Sequence, residues 1–221
     1  MTSNQSKQMA EIATQMIARY SERYNNLGYS VHTLGWGSKE QQTYRFAQSL
    51  SLIDFSPEKS ILDIGCGFGD YLALITAQEK SYKNYYGWDI NPDLINEAKR
   101  IWGDNKNVAF SVMNLGMMDS FKEVADIGVM FGVLNLNLGD KMDNYEYSFK
   151  MIRNAFECVK EVLVVDFLSN RFTPDYAPES FVFYHDPARV LDFALSLSPN
   201  VVIKHNYSPI PQKEFMLFIY K

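Results

Sequence analysis

The sequence has few cysteines, no long apolar runs and no clusters of like charge. Cys66 and Cys158 are the only cysteines, too few for a disulfide framework or a cysteine-based zinc site. Carboxylates and histidines at metal-ligand spacing are also missing, so no metal is expected. No apolar run reaches the ~20 residues a membrane span needs. The opening MTSNQSKQMAEIATQM lacks the apolar core of a secretory signal, so the expectation is a cytoplasmic protein without a membrane partner. The charge balance is mildly negative, 26 acidic against 21 basic residues, with no block of five like charges. A nucleic-acid partner is therefore not expected.

What is present is a large apolar fraction, 47% of 221 residues, enough for one sizeable core. From Ser60 onward short apolar runs alternate with helical patterns. SILDIGC (60–66), NYYGWDI (84–90), NVAFSVMN (107–114), ADIGVMF (125–131) and EVLVVDFL (161–168) read as strands covered on both faces. Between residues 143 and 158, Tyr145, Phe149, Ile152 and Phe156 fall on one helical face. Asn91-Pro92 reads as the cap and first turn of another helix. This alternation predicts an α/β fold with a doubly wound, mostly parallel sheet. The end of the chain breaks the rhythm. NVVIKHNYS (200–208) and EFMLFIYK (214–221) are separated only by PIPQK, too short for a parallel crossover, so they should pair antiparallel. Before Ser60 the chain reads as helical. Met9, Ile12, Ala13, Met16, Ile17, Tyr20 and Tyr24 form an apolar stripe on a helix expected to act as a lid on the site or as the face of a homodimer. Ser38 and Gln41 suggest a capping box for a second helix.

In ILDIGCGFGDYL (61–72) a strand runs through three alternate glycines into a helix, an arrangement that lets a ligand approach the backbone and the helix N-terminus. Asp89 ends the next strand, close to the ~20-residue spacing of a ribose-binding acid. A dinucleotide fingerprint needs a third glycine where Asp70 stands, and a carboxylate there would repel a pyrophosphate. A ligand carrying positive charge and no phosphate fits better, and S-adenosylmethionine is such a ligand. Cys66, inside the turn, reads as a small buried residue rather than a nucleophile.

LDIGCGFGDYL followed by YYGWDINPDLINEAKR resembles motifs I and II of the Rossmann-like S-adenosylmethionine-dependent methyltransferases. The resemblance implies a seven-stranded sheet with an antiparallel last strand, residues 59–221 forming the cofactor-binding domain and residues 1–58 an N-terminal helical lid. It implies Gly65, Gly67 and Gly69 along the methionine and ribose portion, Asp63 at the methionine end and Asp89 on the ribose. Ile90 would lie against adenine, with Asn114 and Leu115 beside it, and Phe131 to Asn135 near the methyl donor. No D/N-P-P-Y run follows the fourth strand and no Pro-Cys pair occurs, so the nucleic-acid-modifying branches do not match.

HTLGWGSKEQQTYRF (32–46) resembles the segment before motif I in a group of small bacterial methyltransferases. That likeness implies closure over the cofactor by Trp36, Gly37 and Ser38, with Arg45 pairing the methionine carboxylate. The first expected function is methyl transfer to a small-molecule acceptor in a bacterial biosynthetic route. A second is cyclisation of the cofactor to azetidine-2-carboxylate and methylthioadenosine, as some relatives of that group perform. A third is a non-catalytic cofactor- or partner-binding module. Methyl transfer demands mainly alignment and desolvation, so catalytic residues leave faint marks. The candidates are Asn135, Tyr176, Tyr184 and His185, although His185 also fits a role at a helix start. His32 is assigned to the lid, and His205 to a structural role.

Overall fold

The run ILDI folds as the central strand β1 (Ile61–Ile64), every residue of it buried. Four short strands of the same apolar character flank it: β2 (Tyr85–Asp89), β3 (Val108–Val112), β4 (Ala125–Met130) and β5 (Val159–Leu168). The hairpin β6 (Val201–Lys204) and β7 (Glu214–Tyr220) completes a seven-stranded sheet of order β3-β2-β1-β4-β5-β7-β6. Strands β1 to β5 pair in parallel, while β7 runs antiparallel to both β5 and β6, as the short PIPQK connection requires. The computed structural model describes residues 3–118 and 120–221. Among them no helix is long and apolar enough to cross a membrane.

Six helices cover the two faces: α1 (Ser3–Leu27), α2 (Lys39–Ala47), α3 (Asp70–Ala77), α4 (Pro92–Trp102), α5 (Asn144–Glu157) and α6 (Pro187–Leu197). Their starts are written in the sequence. Asn91 accepts from the N–H groups of Asp93 and Leu94, with Pro92 following. Ser38 Oγ accepts from Gln41 N at 3.2 Å, the Ser half of the expected capping box. One core lies under α2, α3 and α4 and contains Phe46, Tyr71, Ile75, Ile95 and Val129. The other lies under α1, α5 and α6 and contains Ile12, Leu62, Ile152, Leu163 and Val190.

The first 58 residues therefore enter both cores, through Phe46 on one face and Met9, Ile12 and Met16 on the other. Met9, Ile12 and Met16 of the α1 stripe are covered by the chain itself, in the core that also holds Leu115, Tyr147 and Met151. Ile12→Ala should accordingly cost about 2–5 kcal/mol of unfolding free energy in urea denaturation. A loss below about 1 kcal/mol would show that α1 does not share the core.

Candidate active site

Strand β1 ends at Ile64, and the chain turns through Gly65 and Gly67, both at positive φ (75° and 53°). A Cβ on Gly65 would lie 2.4 Å from a Val133 methyl, and one on Gly67 2.9 Å from a Leu34 methyl. Both positions thus require glycine for conformation and for space. The turn forms the floor of a cavity of about 530 Å³ at the C-terminal ends of β1, β2, β4 and β5. Open α/β sheets bind ligands at this edge, and the volume lies within the usual range for small-molecule sites. Met16 and Tyr20 of α1, the 34–37 loop and the segment 176–182 form the other walls.

Asp89 stands at the cavity with both oxygens partly used. Gly67 N donates to Oδ2 at 3.0 Å and Asn91 N to Oδ1 at 2.9 Å. Burial raises its carboxyl, and the N–H groups of Asn91, Gly67 and Ile90 oppose that rise. Asp63 is buried one strand away and accepts from the Tyr85 hydroxyl. Burial pushes the Asp63 carboxyl up to about 7. Asp89 and Asp70 add to the rise, while the Tyr85 bond pulls it down. Two underused carboxyls around a glycine floor form an acceptor set suited to a cationic ligand bearing hydroxyls. Burial also pushes the Cys66 thiol well above its ordinary value, leaving it a poor nucleophile. Among the described residues no three His, Cys, Asp or Glu side chains converge on a metal position.

Of the residues expected at the site, Trp36, Asp63, Gly65, Gly67, Asp89 and Ile90 line the cavity. Leu115, Phe131, Asn135, Tyr176 and Arg45 line it as well. The others do not. Ser38 serves α2 as its cap. Gly69 is held by packing, since a Cβ there would meet the Trp102 indole at 2.7 Å. Asn114 is bypassed, its neighbours Met113 and Leu115 forming the wall instead.

Three chemical assignments change. Arg45 spends both Nη groups on the protein and leaves only Nε unpartnered. It is buried between Asp166, at 3.2 Å from Nη1, and Glu214, with its charge also 4.5 Å above the Trp36 ring. His185 is fully buried away from the cavity, bonded to Ser148 Oγ at 3.0 Å and ringed by Tyr145, Phe167 and Phe183. Burial drops its pKa to about 3, so it stays neutral and structural, and the cap of α6 is Asp186. Asn135 Oδ1 accepts from Leu168 N at 3.1 Å, which fixes the amide and leaves its NH₂ and one oxygen lone pair for a ligand. Tyr184 lies behind the wall, hydroxyl to hydroxyl with Tyr176 at 2.7 Å.

Other wall residues escaped the sequence reading. Gln42 reaches Asp70 at 3.0 Å, and Lys39, outside the cavity lining, joins it at 3.2 Å, tying the start of α2 to the start of α3. The Asp70 carboxylate is thereby neutralised within the protein. Glu179, Phe181 and Gln212 come from segments with no periodic pattern. Tyr20 could have been found, because it belongs to the stripe of α1.

The raised Asp63 carboxyl has a measurable consequence. The folded chain holds a proton there that the unfolded chain releases from pH ~4 upward. Its contribution to stability is complete below pH ~4 and is lost as pH rises to about 7. Asp63→Asn keeps an acceptor for Tyr85 and cannot titrate. The unfolding free energy of the wild type minus that of D63N should fall across this window and level off above it. A difference independent of pH would show that Asp63 titrates normally.

Residues 55–167, just over half of the 221-residue chain, match the methyltransferase domain family. No curated protein matches the chain by sequence. Among solved structures, the magnesium protoporphyrin IX methyltransferase of Synechocystis PCC 6803, with bound SAH, aligns at TM-score 0.64 and 14% identity. That alignment covers 97% of this chain and 99% of the other. A SAM-dependent methyltransferase from Aquifex aeolicus aligns at TM-score 0.56 and 15% identity, over 79% and 88% of the two chains. Phosphoethanolamine N-methyltransferase 1 of Haemonchus contortus, in complex with phosphoethanolamine and S-adenosylhomocysteine, gives TM-score 0.65 at 11% identity, over 96% of this chain and 50% of its own. At such identities the likeness is one of fold. With the glycine turn, the strand-end carboxylates and the antiparallel seventh strand, the family match places this chain in the Rossmann-like S-adenosylmethionine-dependent methyltransferase family.

Proposed function

We propose that the chain binds S-adenosylmethionine in this cavity and transfers its methyl group to a small-molecule acceptor in a biosynthetic route. The observation that carries the reading is the pairing of Asp63 and Asp89 across the glycine floor. When bound, the cofactor supplies an electrophilic methyl group on a sulfonium. Asp89 has lone pairs left for ribose hydroxyls, because its two backbone donors fix its orientation without exhausting it. Asp63, which titrates near neutrality in the absence of a cation, would be held ionised by an ammonium at the methionine end. Ile90 and Leu115 offer apolar contact to the adenine. Trp36, Phe46, Tyr71 and Phe131 form an aromatic group at the cavity, with Phe46 and Phe131 centroids 5.2 Å apart. Ring faces attract a cation and exclude water, two contributions a displacement reaction needs from its protein.

The acceptor reading rests on enclosure. Leu34 packs over Gly67 and Trp36 over Gly132, so the 34–37 loop closes one side. Segment 176–182 closes another and is stapled to the loop after β4, with Asn137 N donating to Phe181 O at 2.9 Å. A cavity walled in this way suits a compact acceptor better than a polymer.

Incubating the protein with S-adenosylmethionine, with and without a pool of small metabolites, and resolving products by mass spectrometry tests the proposal. The expected product is S-adenosylhomocysteine, formed only when the pool is present. Methylthioadenosine and azetidine-2-carboxylate formed from the cofactor alone would replace methyl transfer by cyclisation. Cofactor binding without any product would reduce the protein to a binding module.

A further inference from the structure

The charged groups on the cavity wall can be sorted by what already satisfies them. Arg45 is paired with Asp166 and Glu214, Asp70 with Lys39, and Asp89 and Asp63 face the cofactor end. That leaves one cavity carboxylate away from the cofactor end, Glu179, and it has no cationic partner within 4.0 Å among the described residues.

Glu179 is exposed, yet its position is fixed. Its N–H donates to Tyr184 Oη at 3.0 Å, so the Tyr184 hydrogen is free to point at Tyr176 Oη, 2.7 Å away. Tyr176 also accepts from Gln212 Nε2 at 3.1 Å, which directs its own hydrogen to Glu179 Oε1 at 3.2 Å. The ring of bonds closes on itself and leaves Oε2 as the open acceptor. Burial, reinforced by the bond to Tyr184, raises the Tyr176 hydroxyl, so it remains a donor. A carboxylate that only solvated the surface would need no such scaffold, whereas a recognition group needs its geometry set in advance. Tyr176 and Phe181 line the same cavity. A fixed carboxylate beside aromatic faces attracts organic cations and repels anions.

We propose that Glu179, held by Tyr176, Tyr184 and Gln212, is the acceptor subsite of the cavity, and that the acceptor it selects carries a protonated amine. This rests on the methyltransferase reading above and adds the substrate class. Arg19 is the competing charge. Its guanidinium lies 5.9 Å from the Phe181 ring centroid, and a carboxylate-bearing acceptor would seek it instead.

Three probes of matched shape separate the cases: 2-phenylethylamine, 2-phenylethanol and 3-phenylpropionate, titrated against the full chain by ligand-observed NMR. The amine should bind most tightly to the wild type. Glu179→Gln, which keeps an acceptor for Tyr176 but loses the charge, should weaken it about tenfold and leave the alcohol unchanged. Tyr176→Phe should give a smaller loss in the same direction. Amine affinity within threefold of wild type in E179Q, or no amine binding at all, overturns the proposal. So does tighter binding of 3-phenylpropionate that is lost in Arg19→Gln. Titration of S-adenosylhomocysteine against the same proteins is read separately. Failure there would remove the methyltransferase reading, whereas failure of the amine arm alone removes only the substrate class.

Discussion

The site depends on one constraint, the left-handed turn through Gly65 and Gly67. Because Gly67 turns its N–H toward the end of the neighbouring strand, the Asp89 carboxylate is gripped from two sides, by Gly67 N and Asn91 N. Because the same glycines lack a Cβ, Val133 and Leu34 can approach the turn from the loop after β4 and from the 34–37 loop. The turn thus fixes the acid, shapes the cavity floor and seats the 34–37 loop. A side chain at either glycine would strain the backbone and push one of these neighbours away.

Charge is distributed with the same economy. Buried Asp166 and Glu214 share Arg45, and Asp166 Oδ1 also accepts from Gly132 N at 2.6 Å, where Trp36 packs. The guanidinium therefore ties α2, β5 and β7 together beside the cavity. Removing one partner of such a buried group leaves an uncompensated charge, which argues for a structural Arg45. Asp70 is treated similarly by Lys39 and Gln42. Among the described residues, the cavity carboxyls without a basic partner are Asp63, Asp89 and Glu179.

Much of this was legible in the sequence, and the reasons are local. Buried parallel strands must be short apolar runs, so β1, β2, β4 and β5 declared themselves. Strand β3, expected to be covered on both faces, lies at the sheet edge with only Phe110 buried. The brief PIPQK link allowed only an antiparallel return. Asn91-Pro92 and Ser38 announced their helices because caps depend on adjacent residues. The glycine turn was readable because few other residue types fit it. Partnerships across the fold were not legible. Nothing near Arg45 in the chain points to Asp166 or Glu214, and nothing around His185 tells that three aromatic rings will strip it of water. Asn135 sits at the expected place, yet its oxygen is taken by a backbone N–H from β5. The segment carrying Glu179 lacks any period, because it is held by the loop after β4 and by side chains rather than by a regular element.

The central claim is that the glycine turn and Asp89 together form the cofactor clamp. Calorimetric titration of S-adenosylhomocysteine into wild type and Asp89→Ala tests it most directly. Two charge-assisted hydrogen bonds, at about 1.5–3 kcal/mol each, should be lost, weakening binding about a hundredfold or more while the far-UV spectrum is unchanged. Affinity within threefold of wild type in a folded D89A protein would contradict the account.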